Sequence, residues 1–310
     1  MNIDSNISFA GSGFIGIYHI GVSACLKKFA PHLLQNKIGG SSAGALVAAA
    51  LACDIPMEDI TRQLLMVASQ SRKEILGPFN PMFNIHQLCK DILENLLPED
   101  VAQRVSGKLF VSLTMVNKKS NILVSEFNDK ADVIGALSAS SFVPVMSGFL
   151  PPKFRGKFAI DGFYSDNIPD LGGSTITVSP FDGDASIGPS DDNPSSLLLR
   201  FHHGSGGSLH LTKENMKRFK KAVLPPDTDK MEKICLKGFK DALKYLISED
   251  LIRCQECFME YKMESTVKEM CQICIEMKER ILNEELPMEL VKVFIDIRLQ
   301  HMDKDERTCC

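Results

Sequence analysis

Among the residues of this chain, Ser42 has the spacing that most directly suggests covalent chemistry. It sits in Gly40-Ser41-Ser42-Ala43-Gly44, a stretch of the form Gly-x-Ser-x-Gly. A short approach, Lys37-Ile38-Gly39, precedes it, and the small-residue run Ala45-Leu46-Val47-Ala48-Ala49-Ala50-Leu51-Ala52 follows. That order reads as strand, sharp turn, helix. On such a turn a serine is held in a strained backbone that pushes its Oγ out of the fold, where it can act as a nucleophile. Glycines on either side remove the side chains that would collide with the strand and the helix. The first amides of the helix can stabilise developing negative charge. Register separates the two serines: Ser42 has Gly40 and Gly44 at −2 and +2, whereas Ser41 has Gly39 and Ala43. A glycine-serine loop that only caps a helix would satisfy the same five residues.

A second glycine cluster lies upstream. Gly11-Ser12-Gly13-Phe14-Ile15-Gly16 follows the alternating run Ile7-Ser8-Phe9-Ala10 and precedes an apolar helical stretch over residues 17–29. Strand, glycine loop and helix suit a dinucleotide, but that use wants an acidic residue about 20 positions further on to hold the ribose. No Asp or Glu occurs between Asp4 and Asp54, and no Gly-Lys-Ser/Thr marks a phosphate loop. What remains is a row of backbone N–H groups at a helix start. Beside an activated serine, such a row is an oxyanion hole. The third element is Asp161-Gly162, at the end of the short apolar strand Phe158-Ala159-Ile160. A carboxylate at a strand tip can take the serine proton, although Asp-Gly is also an ordinary turn.

These three elements, in this order, resemble the patatin-like phospholipases. The strings Asn6-Ile7-Ser8-Phe9-Ala10-Gly11-Ser12-Gly13-Phe14, Leu76-Gly77-Pro78-Phe79, Phe149-Leu150-Pro151-Pro152 and Ser165-Asp166-Asn167-Ile168-Pro169 are similar to the adipose triglyceride lipase subgroup, insect Brummer lipases included. The similarity extends from about residue 5 to about residue 257. It implies a Ser-Asp dyad without a catalytic histidine: Ser42 as nucleophile, Asp161 as base, and Gly11, Ser12, Gly13 and Gly16 as the oxyanion loop. Gly40, Ala43 and Gly44 then form the elbow around the nucleophile. The resemblance further implies a lipase acting on triacylglycerol at lipid-droplet surfaces, no cofactor for catalysis, and an α/β-hydrolase-fold co-activator protein as partner. A phospholipase or acylglycerol acyltransferase on the same dyad, or a catalytically weakened droplet-binding protein, are the alternatives. In one place the chain departs from the family: Asp-Gly is usually followed by Gly or Ala, and here by Phe163. Large apolar side chains are mostly buried, so its ring is expected to face the core. The apolar run Phe142-Val143-Pro144-Val145-Met146 could line an acyl channel but is likewise expected in the core.

The elements that must position these residues are legible in outline. Residues 7–53 read as strand, helix, strand, helix. Helices follow at 57–76, ended by Gly77-Pro78, and at 85–97, where Leu88, Ile92, Leu93 and Leu96 keep helical spacing. A strand at 108–116 pairs through Asn117-Lys118-Lys119-Ser120 with one at 122–127. Residues 130–138 read as helix, and 175–178 and 197–199 as further strands, with a loop-forming stretch at 182–196 between the latter two. Strands interleaved with helices give an α/β fold, and the family implies a three-layer α/β/α sandwich with a mainly parallel sheet over residues 5–250. Residues 251–310 are expected as a helical extension. From Thr212 the chain reads as helical, with an amphipathic helix at 229–247. Lys213, Lys217, Arg218, Lys220 and Lys221 form a basic cluster, read first as a solvated face and second as a contact for anionic head groups.

The 310 residues are 44% hydrophobic and 24% charged, which is globular, and a net charge of −4 gives no reason to expect nucleic acid. No secretory signal is visible and the longest apolar run, residues 43–53, is too short for a bilayer. The expected location is cytoplasmic, peripheral on droplets or membranes, with a neutral-lipid or phospholipid surface as partner and the ten cysteines reduced. Cys254, Cys257, Cys271 and Cys274 form a Cys-x2-Cys, x13, Cys-x2-Cys array that could complete a structural, non-catalytic zinc shell. Four cysteines on helices, two of them buried, is the plainer alternative, because no Gly or Pro between the pairs supplies a turn. Cys309-Cys310 lacks the prenylation tetrapeptide and is expected to be an exposed tail or the mark of a chain cut short. His202, His203 and His210 are placed in the right chain order for a Ser-Asp-His triad, and Asp166, Asp170, Asp182 and Asp184 are read as turn formers.

Overall fold

The structure is a computed structural model that describes residues 4–80, 82–191, 197–200, 208–252, 257, 271–281 and 284–307, with backbone alone for 197–200, 208 and 301–307. In chain order the elements begin with β1 (Asn6–Phe9), α1 (Ile17–Phe29), β2 (Ile38–Gly40), α2 (Ala43–Ala52), α3 (Met57–Lys73), α4 (Ile85–Leu96) and α5 (Val101–Val105). They continue through β3 (Leu109–Met115), β4 (Ser120–Val124), α6 (Lys130–Ser140), β5 (Lys153–Phe154), β6 (Lys157–Asp161), β7 (Thr175–Val178), β8 (Leu197–Arg200) and β9 (Ser208–Leu211). The described chain closes with α7 (Lys213–Val223), α8 (Thr228–Ser248), α9 (Gln272–Ile281) and α10 (Met288–Arg307). Several helices start where a short polar side chain can accept from an orphan amide. Asn84, Asp129, Thr212 and Asp227 each accept from the backbone N–H three residues on.

The sheet runs β5-β6-β3-β2-β1-β7, with β4 on β3 as well. Its centre is parallel, β3 beside β2, β2 beside β1 and β1 beside β7, and the antiparallel pairings all lie on the β3 side. Ile7, Ser8 and Phe9 are consecutive and fully buried, as are Leu113 and Ser112 on β3. Consecutive strand residues face opposite sides, so helices cover both faces and the fold is the layered α/β arrangement expected of it. The strand at 197–199 does not join this sheet. It forms β8, which among the described residues pairs with β9 in a separate two-stranded ribbon. β9 carries a short alternation, Ser208-Leu209-His210-Leu211, that the sequence reading did not assign to a strand.

Register places the two chemical residues. Val111 pairs with both Gly40 and Val124, and Leu113 pairs with both Ile122 and Asp161. A strand has two edges, and β4 takes one along the whole of this stretch. β2 and β6 therefore share the other edge, β2 parallel and β6 antiparallel to β3. They run towards each other, and their tips, Gly40 and Asp161, come to within two residues of the same strand. Sequence separates them by more than a hundred positions; β3 sets them end to end.

Helix α1 lies in the interior, with residues 17 to 26 all buried. It meets α8 at unusually close range: a Cβ on Gly21 would fall 1.9 Å from the Cys235 carbonyl oxygen, and one on Gly238 2.1 Å from that of Tyr18. Two glycines let the backbones touch. The Tyr18 hydroxyl then donates to Asp241 at 2.7 Å. The C-terminal helices add to this same core: Ile281 of α9 and Leu290, Val293, Phe294 and Ile297 of α10 join one continuous apolar cluster with the sheet. No described helix is long and apolar enough to cross a membrane. Cys309 and Cys310 lie outside the described residues.

Candidate active site

Ser42 is where the backbone is strained. It has φ 52° and ψ −131°, a conformation L-residues rarely adopt. Gly40 and Gly44 permit it. A Cβ on either would fall 2.4 Å from the Phe9 carbonyl oxygen, which the tight turn brings under β1. Helix α2 starts at once with Ala43, and Gly44 and Ala45 donate back to Ser41 O. Three serines pin the turn. The Ser42 amide donates to Ser140 Oγ at 2.9 Å, Ser140 Oγ donates to Ser112 O at 2.8 Å, and Ser112 Oγ donates to Asp166 O at 2.7 Å. One relay thus joins the elbow, α6, β3 and the segment after Asp161.

Asp161 is 2% exposed at the tip of β6. Its carboxylate accepts from the Phe163 amide at 2.9 Å and interacts with the Ser42 hydroxyl. Burial pushes its pKa up to about 7, and those two hydrogen-bonding partners only partly offset the rise. The carboxyl is thus poised near neutrality, and its ionised form can accept a proton from the serine. Thr114 Oγ1 donates to Asp161 O at 2.7 Å, and Asn121 holds both Ser112 and Ser165 from β4. Asp166 is also raised, to about 6, by burial and then by Asp170. Its backbone is engaged in the relay, but its carboxylate is not hydrogen-bonded to Ser42.

The glycine loop lies across from the elbow, and Asn167 ties the two together. Asn167 Oδ1 accepts from the Gly11 amide at 2.7 Å and from Ser41 Oγ at 2.9 Å, and Ser41 Oγ also reaches Asn167 O. The Gly11 amide is therefore committed, and Ser12 and Gly13 are the loop residues whose amides are left for a bound oxyanion. Gly11, Ser12, Gly13, Gly16, Ser42, Ala43 and Asp161 all line one cavity of about 360 Å³. The rest of its wall is overwhelmingly apolar, with Leu46, Ile60, Leu93, Leu137 and Val143 among the contributors. That volume is in the range of small-molecule sites.

The structure corrects two expectations at the wall. Phe163 does not enter the core: it is 38% exposed, stacks edge-on with Tyr164 and faces the cavity. Its amide donates to the Asp161 carboxylate at 2.9 Å. The run 142–146 divides, because it folds as a tight loop closed by Ser147 N donating to Val143 O. Phe142 is buried, Val143 and Met146 line the cavity, and Val145 is exposed. Phe163→Ala is expected to shift relative rates towards long acyl chains by roughly 10-fold. Its stability cost should stay under about 2 kcal/mol, below the ~3–5 of a fully buried aromatic. Rates on short- and long-chain esters with parallel thermal unfolding check this; an unchanged chain preference would remove the ring from the substrate path.

No described imidazole hydrogen-bonds Ser42 or Asp161. His210 is on β9, with Nδ1 3.1 Å from Asp182, and does not line the cavity. His202 and His203 lie outside the described residues. His19 is fully buried, held to the Ala10 carbonyl at 2.8 Å and pushed down to about 4 by burial. His86 does line the cavity, a placement its sequence context did not signal, but its ring packs edge-on against Phe142 and burial lowers its pKa. Asn167 and the Ser112-Ser140 relay were also not legible as site residues. The one available hint was polar Ser112 and Thr114 on an otherwise apolar buried strand. Of the basic cluster, Arg218 pairs bidentately with Asp191 and Lys217 with Glu214, while Lys213 and Lys220 are exposed.

The family model described as patatin-like phospholipase matches residues 7–169. The chain is 40% identical over 244 residues to the 1-acylglycerol-3-phosphate O-acyltransferase Pnpla3 of Mus musculus, covering 78% of this chain and 58% of that one. It is 38% identical over 251 residues to the patatin-like phospholipase domain-containing protein 2 of Homo sapiens, covering 80% and 49%. It is 36% identical over 244 residues to the omega-hydroxyceramide transacylase of Mus musculus, covering 78% and 40%. The chain thus spans about half the length of these curated relatives.

Proposed function

The chain belongs to the patatin-like phospholipase family, and we propose that it is a serine lipase hydrolysing acyl esters of triacylglycerol at lipid-droplet surfaces. The observation that carries this reading is a strained serine beside a buried carboxyl at the wall of an apolar cavity. Ser42 Oγ attacks the ester carbonyl as its proton passes to the Asp161 carboxylate. The amides of Ser12 and Gly13 hold the oxyanion. Collapse expels the glyceride alcohol, which takes the proton from Asp161, and leaves an acyl-Ser42 ester. Water then attacks that ester, gives a proton to Asp161, and releases the fatty acid with Ser42 restored. No step here calls for a metal or an organic cofactor.

Several residues that line the cavity have exposed apolar neighbours along the chain. Phe79 lines it, and Ile75, Leu76 and Met82 beside it are 97%, 60% and 90% exposed. Ser147 lines it, and Phe149 and Leu150 just beyond are 79% and 76% exposed. Phe219 of α7 lines it too, next to exposed Met216 and Leu224. Exposed apolar side chains next to the lining segments suit a site that takes its substrate from a lipid surface. The exposed lysines of α7 add affinity for phospholipid head groups. An α/β-hydrolase-fold co-activator is proposed as a further partner on the family resemblance alone.

Replacing Leu76, Phe149 and Leu150 together by serine is expected to lower hydrolysis of emulsified triacylglycerol by roughly 10-fold or more. Turnover of a soluble short-chain ester should be unchanged. Equal loss on both substrates would show these side chains to be structural. A second reading, acyl transfer to an acylglycerol or lysophosphatidate acceptor from the same acyl-Ser42, is favoured by the transferase names of two relatives. Product analysis on triacylglycerol and phospholipid, with and without acceptor, separates the readings. Free fatty acid as the main product in the presence of acceptor supports the lipase; quantitative capture of the acyl group by the acceptor supports the transferase.

A further inference from the structure

Away from the cavity, three cysteines converge. The Sγ atoms of Cys257, Cys271 and Cys274 all lie within 4.8 Å of one another, and those of Cys271 and Cys274 are 3.6 Å apart. A disulfide needs about 2.05 Å between sulfurs. In a tetrahedral thiolate site with Zn–S near 2.3 Å, the sulfur–sulfur edge is about 3.8 Å. The Cys271–Cys274 separation is close to that edge, and the pairs with Cys257 lie within 4.8 Å. We propose that Cys257, Cys271 and Cys274 hold a structural zinc ion.

Three further observations support the site. The thirteen residues between the cysteine pairs contain no glycine or proline to turn on, yet the chain brings Cys257 back to Cys271 and Cys274. Cys271 opens α9, its carbonyl accepting from Ile275 N at 3.2 Å, and Cys274 falls in the first turn. Orphan amides and the positive end of the helix there favour thiolates over thiols. Cys274 is fully buried and Cys257 and Cys271 half-buried, which shields a bound ion from competing water. Each thiol that binds loses its proton to solvent, so the site fills more readily as pH rises. Cys254 lies outside the described residues. It precedes Cys257 by the same interval that separates Cys271 from Cys274, and the sequence nominates it as the fourth ligand.

The ion would fasten the chain after α8 to the start of α9. Lys278 of α9 already donates to Ile247 O at 3.0 Å and pairs with Asp250, and α8 lies along α1 behind the glycine loop. Zinc at this place braces the helical extension and takes no part in the chemistry at Ser42.

The test uses the full chain purified under reducing conditions without added metal. Elemental analysis is expected to find about one zinc per chain. Exchange into cobalt(II) should give the thiolate charge-transfer and strong visible bands of a tetrahedral sulfur site. Cys271→Ser is the informative variant, because serine is a good residue to open a helix and α9 should survive. It is expected to lose the metal and to raise amide exchange in α9 and the end of α8. Its rate on a soluble short-chain ester should stay within about 2-fold of the parent. Cys254→Ser should lose the metal as well, whereas Cys53→Ala should keep it. Metal-free protein that gives no cobalt–thiolate spectrum overturns the proposal. So does a Cys271→Ser, Cys274→Ser double variant that retains stoichiometric zinc.

Discussion

Ser42→Ala is expected to lower ester hydrolysis by roughly 10⁴-fold or more while leaving the fold intact. Alanine removes the only atom that forms the acyl bond, and residues acting as one catalytic unit lose nearly everything when the nucleophile goes. The backbone at this position is strained at φ 52° whatever side chain it carries, and the Ser140 Oγ bond is made by the amide, not the hydroxyl. Thermal unfolding should therefore move little. Initial rates on a soluble ester, with labelling by a serine-directed fluorophosphonate, check this. Full activity in the variant, or undiminished labelling of it, would place the nucleophile elsewhere. Ser41 is the nearest rival, but its hydroxyl is already bound to Asn167.

Asp161→Asn is expected to cost roughly 10³-fold in rate and to stabilise the protein at alkaline pH. The two effects share one cause. Burial raises the carboxyl from its usual 3.8 to about 7, so ionising it in the folded state is unfavourable. A raised folded pKa means stability that is fully present below the unfolded pKa and lost as pH rises through the folded one. The window here runs from about pH 4 to about pH 7. At about 1.36 kcal/mol per pKa unit, the cost at pH 8 is at most about 4 kcal/mol. Asparagine keeps an acceptor for the Phe163 amide and carries no charge to bury. Denaturant unfolding of both proteins should show a stability gap at pH 8 that shrinks towards pH 4. The parent's rate should rise with pH to a plateau above about 7, as the base ionises. Asp166→Asn should keep that profile, since the Asp166 carboxylate has no bond to Ser42. A variant that keeps parental activity would remove Asp161 from the chemistry. A stability gap independent of pH would show that the carboxyl is not buried as an ionisable group.

Much of the site was legible because its requirements are local. A strained elbow needs glycine at fixed offsets from the serine, a glycine loop needs a strand before it and a helix after it, and an Asp-Gly tip needs only a short strand. Those constraints act within a few residues, so spacing alone nominates Ser42, the loop from Gly11 to Gly16, and Asp161. The helix at 85–97 was readable from its apolar spacing, while its cap at Asn84, like that at Asp129, emerged only in the structure. The parallel centre of the sheet followed from strands alternating with helices.

Contacts between distant segments were not legible. Asn167 clamps Gly11 to Ser41 across 156 and 126 positions, and nothing about an asparagine before Ile-Pro announces which amide it will meet. The ring of Phe163 looked like core because large apolar residues usually are, whereas the turn that follows Asp161 leaves it at the cavity wall. β8 pairs with β9 and not with the main sheet, a choice of partner that the apolar run at 197–199 does not specify. The meeting of β2 and β6 on one edge of β3 is the clearest case. Residue types nominate a candidate nucleophile and a candidate base through short-range sterics, but whether the two approach each other is a matter of strand register. Register comes from how β3 and its neighbours bury their apolar faces together, a cooperative property of the packed fold that no single stretch of the chain contains.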